Sequence, residues 1–239
     1  MLDVFYSLGF FIKLLIFKIT NMNYLNFIAM SVPTDGTGFT FWLGAMAMMA
    51  ASVFFFLSMN GVDAKWRTSL LVSGLITFIA AVHYMYMRDA HAAGDSTTVF
   101  RYVDWILTVP LMCVEFYLIL KVAGATKTDM WKLIGASTVM LVTGFFGESG
   151  WDGGVMNAAM WGLLSGLAYF WIAYEVWFGG LKKLAVAAGG NVLEAHKMLC
   201  WFLLVGWAIY PLGYMAGTDG WYGAKDLLFG MKLNMEVCL

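Results

Sequence analysis

The sequence predicts an all-α membrane protein, a bundle of antiparallel helices crossing the bilayer. Three observations predict it. Of 239 residues, 62% are apolar and only 12% charged, with a mean hydropathy of +0.77; soluble domains carry about 25% charged residues. Six stretches are apolar over the ~20 residues that cross ~30 Å of hydrocarbon. The basic residues are sorted onto alternate connections, as the positive-inside rule requires.

In chain order the six stretches are Phe39 to Asn60, Thr68 to Met87, Thr97 to Leu120, Asp129 to Glu148, Val155 to Trp177, and Ala195 to Gly217. Their connections are short, so neighbours run antiparallel. Chain-breaking pairs mark the turns: Asn60-Gly61, Gly94-Asp95, Gly150 to Gly154, Gly179-Gly180 and Gly189-Gly190. The first, third and fifth connecting regions hold Lys65, Arg67, Lys121, Lys127, Lys132, Lys182, Lys183 and Lys197, whereas the second and fourth hold Arg88 alone. Those eight face the cytoplasm, so the first stretch enters from outside and the N-terminus lies outside. A net charge of −1 argues against a nucleic-acid partner. Cys113, Cys200 and Cys238 have no metal-ligand spacing and read as reduced packing residues.

The two ends read differently. Residues 1–38 form a leader-like or extracellular N-terminal region. Its apolar part is interrupted by Lys13 and Lys18, and Asp3 stands where a signal peptide carries basic residues. That favours a processed leader, or upstream sequence before a start at Met22 or Met30, over a functional helix. Residues 218–239 read as an outer loop and the beginning of a further helix, too polar and short for a span. The expectation is a chain cut before that helix is complete.

Chemistry concentrates in the third stretch, FRYVDWILTVPLMCVEFYLIL, which places Arg101, Asp104 and Glu115 inside the apolar layer. Each charge there costs about 2.5–3.5 kcal/mol even on the lenient insertion scale, and such residues mark ion paths or counterions. Arg101 and Asp104, three apart, share a helix face. Glu115 lies eleven residues further, ~16 Å along the axis and near the same face. The order from outside inward is a cation, then two carboxylates, with Pro110 between the carboxylates loosening the backbone. A buried carboxylate also serves simply to pair helices, but three aligned ionisable groups favour a proton or ion path. His83, in the second stretch at about the depth of Asp104, is either its electrostatic partner or a solitary structural histidine. Glu148 and Glu175 sit near helix ends, where solvation or packing explains them. Trp207, Tyr210 and Pro211 line one side of a kinked sixth helix, with Trp105 able to face them. Such a wall suits a polyene, and equally an ordinary bundle core.

At these residues a resemblance becomes specific. Arg101 to Trp105, Thr108-Val109-Pro110 and Glu115-Phe116-Tyr117 are similar to the third helix of the proteorhodopsins, within the microbial rhodopsin family. HYMYMR (83–88), AKWRTSL (64–70), GDSTTVFRY (94–102) and GWAIYPLGY (206–214) match as well, so the similarity runs from about Phe39 to the end. The resemblance implies a seven-helix bundle, here with six full helices and the seventh missing or only begun. It implies all-trans retinal bound as a protonated Schiff base to a lysine of the seventh helix, in a multi-pass protein of the bacterial inner membrane that forms a homo-oligomer. Asp104 would be counterion and proton acceptor, Glu115 the proton donor, His83 the partner of Asp104, and Arg101 a release-side group. Trp105, Thr108, Met112, Trp207, Tyr210 and Pro211 would line the pocket, with apolar Met112 at the colour-tuning position implying green absorption. Both carboxylates favour a pump over a sensor, and Asp104 and Glu115, in place of the Asn and Gln of sodium pumps, favour protons.

One departure matters. The family places an aspartate four residues before the retinal lysine, and no Asp-x-x-x-Lys occurs in the 239 residues. Asp226 and Lys232 are six apart, so Lys232 is not assigned as the attachment site. The chain as given is then expected not to form the covalent pigment. The leading reading is a light-driven outward proton pump. The alternatives are a sensory photoreceptor and a degenerate six-helix protein without pigment.

Overall fold

The computed structural model describes residues 35–217 apart from 151–153 and 155. Every regular element among them is helical. The helices are α1 (Gly36–Ser58), α2 (Ala64–Ala93), α3 (Thr98–Leu120), α4 (Lys127–Ser149), α5 (Ala158–Trp177), α6 (Gly180–Ala188), α7 (Gly190–Trp201) and α8 (Trp207–Gly217). A π-helical turn, Phe202–Gly206, joins α7 to α8, so these three pieces make the sixth crossing. The leader-like segment up to residue 34 and the stretch from 218 onward, with Lys225, Asp226, Lys232 and Cys238, lie outside the described residues.

Local chemistry sets the helix ends. Asp35 caps α1, its carboxylate accepting from the Gly38 amide at 3.2 Å, so the helix starts before Phe39. A reciprocal Thr126–Asp129 capping box starts α4. Asn157 caps α5, accepting from the Met160 amide at 2.8 Å, which moves its start from Val155 to Ala158. Gly94 ends α2 with φ +78°, its N–H donating to the Ala90 and His91 carbonyls; the left-handed cap suits glycine. Hydropathy leaves α6 out, because nine residues are too few to cross the membrane. It nevertheless buries Leu181 and Ala185, one turn apart. The sixth crossing also begins earlier than predicted, at Gly190 rather than Ala195.

Consecutive helices pack in order, α1 on α2, α2 on α3, α3 on α4 and α4 on α5, and α7 returns to lie against α3. Five helical stretches are long and apolar enough to span a bilayer: Gly36–Gly61, Ala64–Ala93, Thr98–Ala123, Lys127–Ser149 and Gly190–Leu212. The 20-residue α5 has the length but not the hydropathy, because Trp161, Tyr169, Trp171, Tyr174 and Trp177 interrupt its aliphatic residues. The packed centre includes Val109, Phe116, Leu120, Ile172, Val176, Leu203 and Trp207. Large apolar side chains such as Phe54, Leu57, Trp131, Phe170 and Met198 point outward, as expected where the solvent is lipid.

The π-helical turn takes its carbonyl partners from α5. Tyr169 Oη donates to the Leu204 and Leu203 carbonyls at 3.2 and 3.4 Å, and Trp177 Nε1 donates to the Cys200 carbonyl at 3.3 Å. Side chains thus engage backbone groups where the helical ladder changes register.

Candidate functional site

The α3 helix presents Arg101, Asp104, Thr108 and Glu115 to the interior, and all four are buried. Thr108 Oγ1 donates to the Asp104 carbonyl at 2.9 Å, which leaves the Asp104 side chain to its neighbours. On α2, buried His83 places Nδ1 3.5 Å from Asp104 Oδ1. The same nitrogen is 2.9 Å from the Ile79 carbonyl, and a carbonyl only accepts, so Nδ1 carries the hydrogen. The Asp104 contact is therefore electrostatic, and Oδ1 is buried without a hydrogen-bond partner among the described residues. The structure places His83 beside Asp104.

One turn towards the start of α3, Arg101 pairs with Glu148 of α4. Its Nη2 also donates to Thr98 Oγ1 at 3.0 Å, and Thr98 Oγ1 in turn donates to Glu148 Oε1 at 3.1 Å. Tyr102, one residue along α3 from Arg101, lies beside the same carboxylate. Glu148, which the sequence alone reads as a solvated or packing residue at a helix end, is the partner of the buried arginine. A buried cation near the end of one helix needs an anion at the same depth on a neighbour, and that was the available signal. Glu175 keeps the plainer role, accepting from the Gly180 amide at 3.0 Å to start α6.

Glu115 has a different setting near the other end of α3. Ser69 Oγ of α2 donates to its Oε1, and Oε2 is buried without a hydrogen-bond partner among the described residues. Ser69 carried no sequence signal, since its pairing spans 46 positions.

Between these groups lies a cavity of about 860 Å³. Its wall includes Asp104, Trp105, Thr108, Met112, Trp207, Tyr210 and Pro211, with Tyr84, Tyr102, Met140 and Gly144. Trp105 meets Tyr210 edge-on, ring centres 4.8 Å apart, and Tyr102 packs on the other side of Trp105 at 5.0 Å. His83, Arg101 and Glu115 stand behind the wall. No lysine among the described residues lines it. The space suits an elongated apolar ligand, and the free Asp104 Oδ1 suits a cationic atom at one end. Retinal with a positively charged nitrogen has that chemistry, so the residues present fit the group.

Comparisons with known proteins agree with this architecture. A profile of the family described as "Bacteriorhodopsin-like protein" matches residues 35–228. The green-light absorbing proteorhodopsin of Gamma-proteobacterium EBAC31A08 is 46% identical over 204 residues, covering 84% of this chain and 80% of that protein. The blue-light absorbing proteorhodopsin of Gamma-proteobacterium Hot 75m4 is 46% identical over 187 residues, 77% of this chain and 72% of that one. Among solved structures, the blue light-absorbing proteorhodopsin from Med12 superposes with a TM-score of 0.67 at 40% identity, covering 85% of this chain and 89% of that chain. Exiguobacterium sibiricum rhodopsin superposes with a TM-score of 0.70 at 30% identity, covering 84% and 86%.

Proposed function

The chain belongs to the bacteriorhodopsin-like family, the microbial rhodopsins, and from that premise we propose that it is a light-driven outward proton pump working with all-trans retinal. The observation that carries the reading is the α3 line, in which a buried carboxylate oxygen without a hydrogen-bond partner faces an aromatic cavity, Arg101 lies beyond it and Glu115 behind it. In this reading the N-terminus is outside, and Lys65, Arg67, Lys121, Lys127, Lys132, Lys182, Lys183 and Lys197 face the cytoplasm. Arg101 then marks the outer side and Glu115 the inner. The protein sits in the bacterial inner membrane as a homo-oligomer, by likeness to its relatives.

Retinal, when bound, supplies a light-driven change in proton affinity beside Asp104. Asp104 accepts a proton at its free Oδ1, with the His83 ring 3.5 Å from that oxygen. Trp105, Tyr210, Trp207 and Pro211 grip the ligand and exclude water, which keeps the Asp104 carboxyl from exchanging directly with solvent. Glu115 holds the proton that refills the centre from the cytoplasm, steadied by Ser69. Met112 lies in the cavity wall without charge or hydrogen-bonding hydrogen, which supports green rather than blue absorption.

The test is the visible spectrum of membranes containing the chain, with added all-trans retinal, followed by external pH under illumination. No Asp-x-x-x-Lys pair occurs in the sequence, so the experiment has two arms: the chain alone, and the chain with a helix bearing that pair supplied in trans. A green-absorbing band with outward acidification in either arm supports the reading. If the chain alone gives a band trapped by borohydride, Lys225 and Lys232 are the first residues to mutate. A band in neither arm contradicts the pump and favours the pigment-free six-helix protein. A band without any pH change would indicate the sensory alternative.

A further inference from the structure

The aromatic wall of the cavity leans on one irregular stretch of the sixth crossing. Trp207 opens α8 directly after the π-helical turn, and its buried side chain stands in the cavity wall. Its backbone N–H donates to the Leu203 and Leu204 carbonyls, both inside the turn. On its other side stands Pro211, four residues on, which has no N–H for the Trp207 carbonyl and crowds it. The helical ladder is thus irregular both before and after Trp207, so its own backbone holds this residue less firmly than a mid-helix position. A π turn carries an additional residue relative to an α turn. A return to α spacing would swing the indole round the helix axis by up to about 100°.

Two tyrosines fix the stretch from α5 and α8. Tyr169 of α5, buried and itself in the cavity wall, donates its hydroxyl to the same two carbonyls, Leu203 at 3.4 Å and Leu204 at 3.2 Å. Further along α8, Tyr214 Oη donates to the Ala158 carbonyl of α5 at 2.6 Å. Trp207, Tyr210 and Pro211 lie between these two attachments. A carbonyl oxygen has two lone pairs, so Leu203 and Leu204 can take the Trp207 N–H and the Tyr169 hydroxyl together. The hydroxyl therefore meets the turn at the groups that position Trp207. A phenylalanine would fill the same apolar space, and what the hydroxyl adds is this bond.

We propose, resting on the reading of the cavity as a retinal site, that Tyr169 is a positioning residue. Its hydroxyl fixes the register of the π-helical turn and so sets the Trp207 indole against the ligand. Tyr169 then acts on the ligand through Trp207, since its hydroxyl hydrogen is engaged by the turn carbonyls.

Tyr169→Phe keeps the ring and removes only the bond, so packing is preserved and the test is of the hydroxyl. The first readout needs no ligand. Carbonyl-13C glycine combined with amide-15N tryptophan leaves magnetic-resonance signals only from the three Gly-Trp bonds of the sequence, and Trp207→Phe identifies that of Gly206-Trp207. Tyr169→Phe should move this signal. Trp177→Phe, which removes the neighbouring bond to the Cys200 carbonyl, should leave it in place. A Trp207 signal unmoved in Tyr169→Phe overturns the proposal, and so does an equal shift in both variants. The second readout is the affinity of the full chain for all-trans retinal, measured by saturable quenching of tryptophan fluorescence. Tyr169→Phe should weaken binding about two- to tenfold, the range for one hydrogen bond, and this loss should vanish in a Trp207→Ala background. An equal loss with and without the Trp207 indole means that Tyr169 acts on the ligand directly, and the proposal falls. A failed retinal reading shows separately, as wild-type fluorescence that retinal does not quench, while the Trp207 signal still decides the register claim.

Discussion

The two ends of α3 carry one ionisable centre each, built in opposite ways. At the Asp104 end two clusters follow one another along α3: His83 of α2 with Asp104, and Arg101 with Thr98 and Glu148 of α4. At the Glu115 end Ser69 donates to the carboxylate, and the next residue, Phe116, turns to the buried His196 and packs edge-on against its ring at 5.8 Å. His196 Nε2 bonds the Val176 carbonyl at 2.9 Å, and its Nδ1 has no hydrogen-bond partner among the described residues. One end gathers charged partners from three helices, and at the other a neutral hydroxyl partners the carboxylate. In the proposed pump, this contrast gives each carboxylate a different kind of work.

That contrast is open to breaking, and the largest effect is expected at the Asp104 end. Asp104→Asn leaves a side chain that cannot accept the proton, so light-driven pH change should vanish while retinal still enters the cavity; absorbance and pH electrodes read both. At the Glu115 end, Glu115→Gln should leave the first proton movement intact and slow refilling by on the order of 100-fold, seen in the recovery time of flash-induced absorbance. Retention of wild-type recovery would mean that Glu115 is a packing residue. Smaller is the effect on the frame that holds Glu148 in place. A methyl group added at Gly147 would meet Tyr214 Oη, and Trp161 Cβ at 2.8 Å, so Gly147→Ala should destabilise the α4–α5–α8 contact by about 1–3 kcal/mol. Thermal unfolding in detergent measures it.

The smallest effect lies at the rim, outside both centres. His91 Nε2 bonds Asp35 at 2.7 Å and, with the Gly38 amide, holds the Asp35 carboxyl below its ordinary 3.8. A carboxyl lowered by folding adds stability above its unfolded value and loses it as pH falls through the folded one. Exposure screens the pair, so the contribution is small. Asp35→Asn should lower the melting temperature slightly at neutral pH, and the difference from wild type should close well below pH 3.8. A gap that persists in acid would assign the contribution to the helix cap alone.

Much of this was legible in the sequence because membranes impose simple rules. Hydropathy and the basic residues marked the crossings, and helical spacing aligned Arg101, Asp104 and Glu115 on α3. Partners on other helices were not legible. Glu148 lies 47 residues from Arg101 and Ser69 lies 46 from Glu115, so their meeting depends on how helices dock rather than on any local pattern. The π-helical turn at Phe202–Gly206 escaped for a related reason. Apart from Gly206 its residues are common in apolar helices, and the Tyr169 hydroxyl that bonds its carbonyls comes from another helix. The short α6 escaped because nine residues with two apolar contacts make no membrane signal.

In the proposed pump transport is directional: protons leave past Asp104 and Arg101, and replacements enter from the cytoplasm through Glu115. The most direct measurement is the sign of the pH change when right-side-out vesicles bearing the pigment are illuminated, with and without a protonophore. The account predicts acidification of the outer medium that the protonophore abolishes and that disappears in Asp104→Asn. Alkalinisation outside, or an outward signal that survives Asp104→Asn, would contradict it.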